Sequence, residues 1–293
     1  MTDLTACAVM VTYQPGEDTL HNLRLLSEQV GHIVVVDNGS SDEATAMLRD
    51  ASGELALTLI GNLENEGIAS ALNTGVRHAI ASGHGWVILF DQDSTVTPGF
   101  MNAMFDGYRK HPSPDAVSIF CPQYVDRSTG AAVVTSRLAA DGGPAVAMTS
   151  GSLMPAWVFE RCGWFMEELF IDQVDVEYCF RVRSLGHKIA RSPEARLVHS
   201  AGNPRMHGRQ GMGRFRATHH GVARRYYITR NRMSVVRKNW KQHRDWCLPM
   251  LRSIVTDTLK VLLVEDSKIA KLRSTFAGIR DAMQGRLGKT REI

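Results

Sequence analysis

Over the first hundred positions, short apolar runs alternate with stretches in which apolar residues recur at helical spacing. The runs CAVMVTY, HIVVVD, LALTLIG and WVILFD have the length of buried strands, and residues 17–30, 41–52 and 66–82 between them have a helical period. This alternation predicts βαβ units and a mostly parallel sheet, an α/β fold. From about 115 to 150 the pattern shifts to short β-like runs, AVSIFCPQY, AAVVTS and AVAMTSGSL, interrupted by Gly142-Gly143-Pro144. These predict a smaller mixed sheet grafted onto the first half. Beyond 216 the pattern is helical almost to the end of the chain.

Each predicted strand unit closes in polar residues. Asp37-Asn38-Gly39-Ser40-Ser41-Asp42 follows the second run and offers Ser41 or Asp42 as a helix cap. Asn65-Glu66-Gly67 follows the third, and Asp91-Gln92-Asp93 the fourth. Parallel strands bring such ends to one edge of the sheet, the edge where ligands bind in open α/β folds. A solvated turn accounts for any one of these clusters alone, because Asp, Asn, Gly and Ser are common turn residues.

Composition narrows the classes. With 44% hydrophobic and 22% charged residues the chain is expected to fold rather than remain disordered. Its five cysteines are odd in number and include no Cys-x-x-Cys pair, which fits a reduced, cytoplasmic protein without a zinc site. The charge is unevenly spread: residues 1–180 hold 8 Lys and Arg against 23 Asp and Glu, whereas 181–245 hold 17 against 2. The basic segment raises nucleic-acid binding as an alternative, but no nucleic-acid-binding module accompanies it; phosphates or an anionic lipid surface would serve equally. No run reaches the ~18 apolar residues of a membrane span, and the longest candidate, around 246–266, is broken by Arg252, Asp257 and Lys260 into an amphipathic helix.

A second carboxylate cluster lies in FIDQVDVEYCFR, where Asp172, Asp175 and Glu177 stand among large apolar residues. If the segment is helical, Asp172 and Asp175 share a face. A single acid at a helix start is a favourable dipole contact. Three acids among apolar neighbours are also the material of general bases and metal ligands.

Taken in order, VTYQP, IVVVDNGSSD, NEGIASALNTGV, ILFDQDS, SGSLM and FIDQVDVEYCFR resemble family 2 glycosyltransferases of the GT-A fold. Within that family they are most similar to bacterial rhamnosyltransferases that use dTDP-L-rhamnose, over about residues 6–235. The resemblance implies a GT-A domain over 1–240, with a nucleotide-binding half at 1–115 and an acceptor-binding half at 116–240. The rest, 241–293, is then a helical extension.

The resemblance also implies roles. Thr12, Tyr13, Asp37, Asn65 and Gly67 would hold base and ribose, with Asn73 and Gly75 supporting that pocket. Asp91, Gln92 and Asp93 match the family's Asp-x-Asp motif, with Asp91 near the ribose and Asp93 on Mg²⁺ or Mn²⁺. His199 would add a metal contact. Asp175 corresponds to the general base, although this chain has Val174 where many relatives have Glu, and Asp172 competes for the role. Ser150, Gly151 and Ser152 correspond to an acceptor loop, Trp164 to a sugar-stacking ring. Arg224, Tyr226, Tyr227, Arg230 and Asn231 would meet the diphosphate or the acceptor. The implied reaction is inverting transfer of L-rhamnose to a saccharide or lipid-linked acceptor in surface polysaccharide synthesis. Peripheral contact with the inner membrane face goes with it.

Three rivals stand beside this reading. A transferase using another UDP- or dTDP-sugar shares every motif. A sugar-1-phosphate nucleotidyltransferase needs a basic, Gly-rich triphosphate loop near the start, and VTYQPGEDTL has neither Lys nor Arg. A non-catalytic nucleotide- or carbohydrate-binding protein has no need of the candidate base.

Overall fold

Four strands, β1 (Cys7–Thr12), β2 (His32–Asp37), β3 (Leu57–Gly61) and β4 (Trp86–Asp91), lie parallel, with β1 between β2 and β4. They are linked by α1 (Glu17–Ser27), α2 (Asp42–Glu54) and α3 (Ile68–Ala81), as the hydrophobic pattern predicts. β1, β2 and β4 are apolar along almost their whole length because both faces of a parallel sheet are covered. Ser41 caps α2, accepting the Ala44 N–H at 3.4 Å. The structure is a computed structural model that describes residues 5–127, 129–133, 136–199, 205–207, 215–217 and 219–290.

The strands that follow join the same sheet. β5 (Thr95–Val96), β6 (Val117–Asp126), β7 (Leu153–Pro155) and β8 (Lys188–His199) extend it in the order β3-β2-β1-β4-β7-β6-β8-β5. β7 runs antiparallel to both β4 and β6, which makes the sheet mixed. The smaller mixed sheet expected over 115–150 is thus part of one mixed, eight-stranded sheet. The run at 131–136 contributes an isolated bridge from Ala132 to Val125, with positions 134 and 135 outside the described residues. Of the run at 145–153, only Leu153 enters a strand; Ala145, Val146 and Ala147 are buried without pairing as a strand. Helix α4 (Phe100–Arg109) buries Phe100, Met101, Met104, Phe105 and Tyr108 in the core of the sheet.

The chain divides into two units: Met1–Met166 with Tyr178–Ser200, and Glu167–Glu177 with Ala201–Ile293. The division falls within α6 (Val174–Ser184), which follows α5 (Trp157–Cys162). The first unit holds the sheet. The second holds the hairpin β9 (Arg205–His207) and β10 (Phe215–Ala217), then α7 (Val222–Asn239), α8 (Arg244–Val264) and α9 (Lys268–Met283). α7 and α9 approach closely at Gly278, where an added Cβ would lie 2.8 Å from the Tyr226 carbonyl oxygen. α8 buries Cys247, Ile254 and Val261 at seven-residue intervals and leaves Leu248, Val255, Leu259, Leu262 and Leu263 exposed. No described helix is long and apolar enough to cross a membrane.

Gly75 has a packing role. A Cβ there would lie 2.4 Å from Val9 Cγ1 and 3.0 Å from Val36 Cγ2, so α3 sits directly on β1 and β2 only because the side chain is missing. Gly75→Ala is expected to lower stability by about 1–3 kcal/mol through overpacking. Gly53→Ala, in α2 with nothing near its Cβ, should instead stabilise by roughly 0.5–1 kcal/mol. Urea unfolding of both variants checks the contrast.

Candidate active site

The register of the parallel strands sets the site. Thr12 stands beside Asp37, Asp37 beside Gly61, and Val11 beside Asp91, so three polar turns leave the sheet side by side. Asp37 is buried and accepts the Thr12 hydroxyl at 3.1 Å, the Ser40 hydroxyl at 2.6 Å and the Ser40 N–H at 3.0 Å. Its carboxylate thus shapes the turn that begins α2.

Asn38, unremarked in the sequence reading beyond its place in the turn, ties two loops together. Its Oδ1 accepts from Asn62 Nδ2 and the Glu66 N–H, both at 3.0 Å, and its Nδ2 donates to Asn65 Oδ1 at 3.1 Å. Asn65 Oδ1 also accepts the Gly67 N–H at 2.9 Å. The signal was an amide next to the strand-end acid, a side chain that bonds neighbouring backbone with both of its groups. Gly39 permits the approach: its φ is +80°, and a Cβ would stand 2.4 Å from the backbone carbon of Glu64.

Gln92 joins the ends of β1 and β4. Its Oε1 accepts the Tyr13 N–H at 2.8 Å and its Nε2 donates to the Tyr13 carbonyl at 3.2 Å, so the side chain behaves as one more rung of the ladder. The Tyr13 side chain itself is exposed.

Asp91, Asp93 and His199 converge, each offering a ligand atom within 4.8 Å of the others'. His199 Nδ1 lies 3.8 Å from Asp93 Oδ1, and Asp93 is half exposed. Two carboxylates and an imidazole, open to solvent on one side, are a donor set suited to a divalent cation that also takes phosphate oxygens. The residues therefore fit the Mg²⁺ or Mn²⁺ expected there. Beneath them, Ser150 is fully buried: its Oγ accepts the Asp91 N–H at 3.1 Å and lies 2.8 Å from Ser94 Oγ, which is 3.0 Å from His199 Nδ1. Arg127, also unread in the sequence, donates to the Asp93 carbonyl and to Thr95 Oγ1, each at 2.9 Å.

Several residues expected at or beside an acceptor or nucleotide have hydrogen bonds and packing contacts within the scaffold. Gly151 (φ +80°) donates its N–H to the Leu89 carbonyl and has Pro122 and Leu197 against its Cα; Ser152 is buried and donates its hydroxyl to the Met148 carbonyl at 2.6 Å. Asn73 is fully buried and exchanges two hydrogen bonds with the Phe165 backbone, at 2.9 and 3.0 Å. Trp164 stacks on Phe159 with ring centroids 5.5 Å apart and has the Arg77 guanidinium 4.5 Å from its centroid.

The remaining expected residues belong to the second unit. Asp172 does not share a helix face with Asp175: α6 starts at Val174, and Asp172 lies in the preceding loop with φ +65°. Phe170 and Gln173 are left-handed too, at +64° and +67°. Each such residue costs on the order of 1 kcal/mol or more. The loop is held by Asn231, whose Nδ2 donates to the carbonyls of Leu169, Ile171 and Asp172 at 2.7, 2.6 and 3.0 Å. Arg230 adds bonds to the Glu168 and Leu169 carbonyls and to that of Gly288. Both side chains are fully buried, so the cation and amide expected at a diphosphate or acceptor are engaged with backbone. Arg224 grips Asp172 through two nitrogens at 3.3 Å. Tyr227 stacks on Phe170 at 5.0 Å and its hydroxyl accepts the Thr290 N–H; Tyr226 donates its own to Asp281 at 2.8 Å. Glu177 is buried against Lys238 at 2.7 Å. Asp175, in the first turn of α6, is half-buried and accepts the Val176 N–H at 2.8 Å.

Mn²⁺ binding followed by electron paramagnetic resonance tests the cluster. Asp93→Asn is expected to weaken it at least tenfold, and Ser150→Ala about tenfold because supporting hydrogen bonds orient the ligands. Absence of Mn²⁺ binding by the unaltered protein would remove the cluster as a metal site.

Comparison with known proteins agrees with this geometry. Residues 7–137 match the model of glycosyl transferase family 2. The chain is 28% identical to the dTDP-rhamnosyl transferase RfbF of Shigella flexneri, over 96% of each chain. It is 33% identical to the galactofuranosyltransferase GlfT1 of Mycobacterium tuberculosis, over 29% of each. Among solved structures it is similar to S. aureus TarS in complex with UDP-GlcNAc, with TM-score 0.64 and 13% identity over 96% of this chain and 81% of that one. It is similar too to a Pyrobaculum calidifontis mannosyltransferase in complex with GDP-Man and Mn²⁺, with TM-score 0.58 and 18% identity over 99% and 77%. The eight-stranded sheet is thus the GT-A fold, and residues 7–137 carry a glycosyl transferase family 2 domain in a chain with glycosyltransferase activity.

Proposed function

We propose that this glycosyltransferase moves L-rhamnose from dTDP-L-rhamnose to a hydroxyl of a saccharide or lipid-linked acceptor. The observation that carries the reading is the similarity to a dTDP-rhamnosyl transferase over 96% of both chains, C-terminal helices included.

In this reading the turns after β1, β2 and β3 hold the nucleoside, with Thr12, Tyr13, Asp37, Asn65 and Gly67 forming the pocket. Asp91, Asp93 and His199 hold the cation, which when bound neutralises charge on the leaving nucleoside diphosphate. Gln92 keeps Asp91 and Asp93 in register with the Tyr13 backbone. Arg127, bonded to the Asp93 carbonyl, holds the turn that presents Asp93. Asp175 takes the proton of the acceptor hydroxyl as its oxygen attacks the anomeric carbon. The bond from that carbon to the diphosphate oxygen breaks on the opposite side, so a β-L-rhamnosyl donor gives an α-L-rhamnoside. Asp172, engaged by Arg224, positions the loop ahead of Asp175 instead of acting as the base.

Another nucleotide sugar is the second reading, favoured by the match to a galactofuranosyltransferase. Calorimetric titration of dTDP, UDP and dTDP-L-rhamnose, with Mg²⁺, Mn²⁺ or chelator, separates the two. Metal-dependent binding that prefers the thymidine ligands is expected, and equal or better binding of UDP would replace the donor. Asp175→Asn should cut turnover at least about 100-fold, the usual contribution of a general base, with nucleotide affinity unchanged.

The basic segment and the exposed apolar residues of α8 suit peripheral contact with an anionic bilayer. Co-sedimentation with phosphatidylglycerol liposomes that declines as salt rises is the expected result; no co-sedimentation at low salt would count against it.

A further inference from the structure

Away from the Asp-x-Asp cluster, the second unit encloses a cleft of about 180 Å³ between the start of α7 and the C-terminal half of α8. That is far more than the ~10–15 Å³ that one water needs. Its charges do not balance. Asp257 receives three cations: Arg232 Nη1 at 2.7 Å, Lys260 Nζ at 3.5 Å and Arg225 Nη1 at 3.9 Å. The other acid on the wall, Glu265, is already matched by the buried Lys271 at 2.7 Å. Among the described residues, three cations and one available carboxylate leave two positive charges over.

Arg225 is the most exposing of this imbalance. Its side chain is 5% exposed, yet its nearest partners are the neutral hydroxyls of Thr258 and Thr275 at 3.4 and 3.5 Å, the outer limit of a hydrogen bond. Burial first, and the neighbouring Arg232 with it, works against its charge and pulls its pKa down, with Asp257 and Glu265 opposing that pull. A guanidinium removed from water needs close, charged acceptors. His220 adds no negative charge to supply them. Burial, then the neighbouring Arg224, holds its pKa below the usual histidine value.

We propose that this cleft is a binding site for a phosphoryl dianion, held by Arg225, Arg232 and Lys260. A double charge matches the excess, and two guanidinium forks with an ammonium are the groups that bind phosphate oxygens best. A carboxylate would leave one charge unmatched. The phosphoryl group is either free in solution or borne by a lipid; α8 exposes Leu259, Leu262 and Leu263 beside Lys260, on the helix that carries two of the lining residues.

The assignment is independent of the transferase reading, and its test involves no turnover. The whole chain is titrated with inorganic phosphate and pyrophosphate in EDTA, which silences metal-dependent nucleotide binding, and thermal unfolding is compared with chloride at equal ionic strength. Phosphate is expected to raise the unfolding temperature more than chloride does. Lys260→Gln and Arg232→Gln should each weaken phosphate binding about tenfold, the usual worth of a charged hydrogen bond. Asp257→Asn should strengthen it by a similar factor, since the competing carboxylate is gone; a purely structural ion network predicts destabilisation that phosphate does not relieve. Stabilisation no greater than with chloride, or binding that none of the three variants alters, overturns the site. Should Arg232→Gln fail to fold, the opposed effects of Lys260→Gln and Asp257→Asn decide alone. Vesicles of phosphatidylcholine with and without phosphatidic acid then identify the source. Retention by phosphatidic acid that Lys260→Gln abolishes marks a lipid-borne group, and phosphate binding without vesicle retention marks a soluble one.

Discussion

Parallel strands that end in register oblige the chain to turn repeatedly along one edge, and every turn exposes backbone groups that need partners. Here those partners are side chains. Asp37 satisfies Ser40, Asn38 satisfies Glu66, Asn65 satisfies Gly67, and Gln92 satisfies both polar groups of Tyr13. The bonds of Asp37 and Asn65 shape their own turns, while those of Asn38 and Gln92 fix neighbouring loops to one another. This wiring gives the edge a set shape before any ligand arrives, which is how binding avoids the entropy of ordering loops. It also explains why strand-end positions carry Asp, Asn and Gln, where a solvated turn would accept many polar residues.

The first half of the fold was legible because continuous apolar runs alternate there with stretches of 3.6-residue period. The strand-end acids were legible for the same reason: once the strands are parallel, their ends must meet. The second half was not. Leu153 pairs with both Ile88 and Phe120, so β7 is specified by partners about thirty and sixty residues away and leaves only three residues of local pattern. Site residues divide along the same line. Asp91, Asp93 and His199 meet as read, although His199 arrives from β8 more than a hundred residues later. Ser150, Arg230 and Asn231 were expected at the acceptor or the diphosphate, and Asn73 beside the nucleotide pocket, because the family resemblance implies it. The structure buries them and directs their hydrogen bonds to backbone or to neighbouring side chains, and burial of that kind leaves no trace in the local sequence.

The charge asymmetry of the sequence has a structural counterpart. Acidic residues of the first half include those that gather at the sheet edge. Among the described residues three cations of the second half are internal: Arg225, Arg230 and Lys271 are buried among carbonyls, hydroxyls and carboxylates. In the second unit, arginines hold together helices and loops whose apolar content is modest, α7 above all, where the buried positions include Arg225, Thr229, Arg230 and Asn231.

The clamp on the loop before α6 has a consequence in time. Its left-handed residues are unfavourable alone, and the amide that holds them, Asn231, lies 59–62 residues further along the chain. During synthesis at ~5–20 residues per second, the loop waits roughly 3–12 seconds on the ribosome before its clamp is even made. The segment carrying Asp172 and Asp175 therefore acquires its final backbone late, when α7 has emerged and can dock. A chain cut short before Asn231 would hold a finished sheet and an unfinished loop.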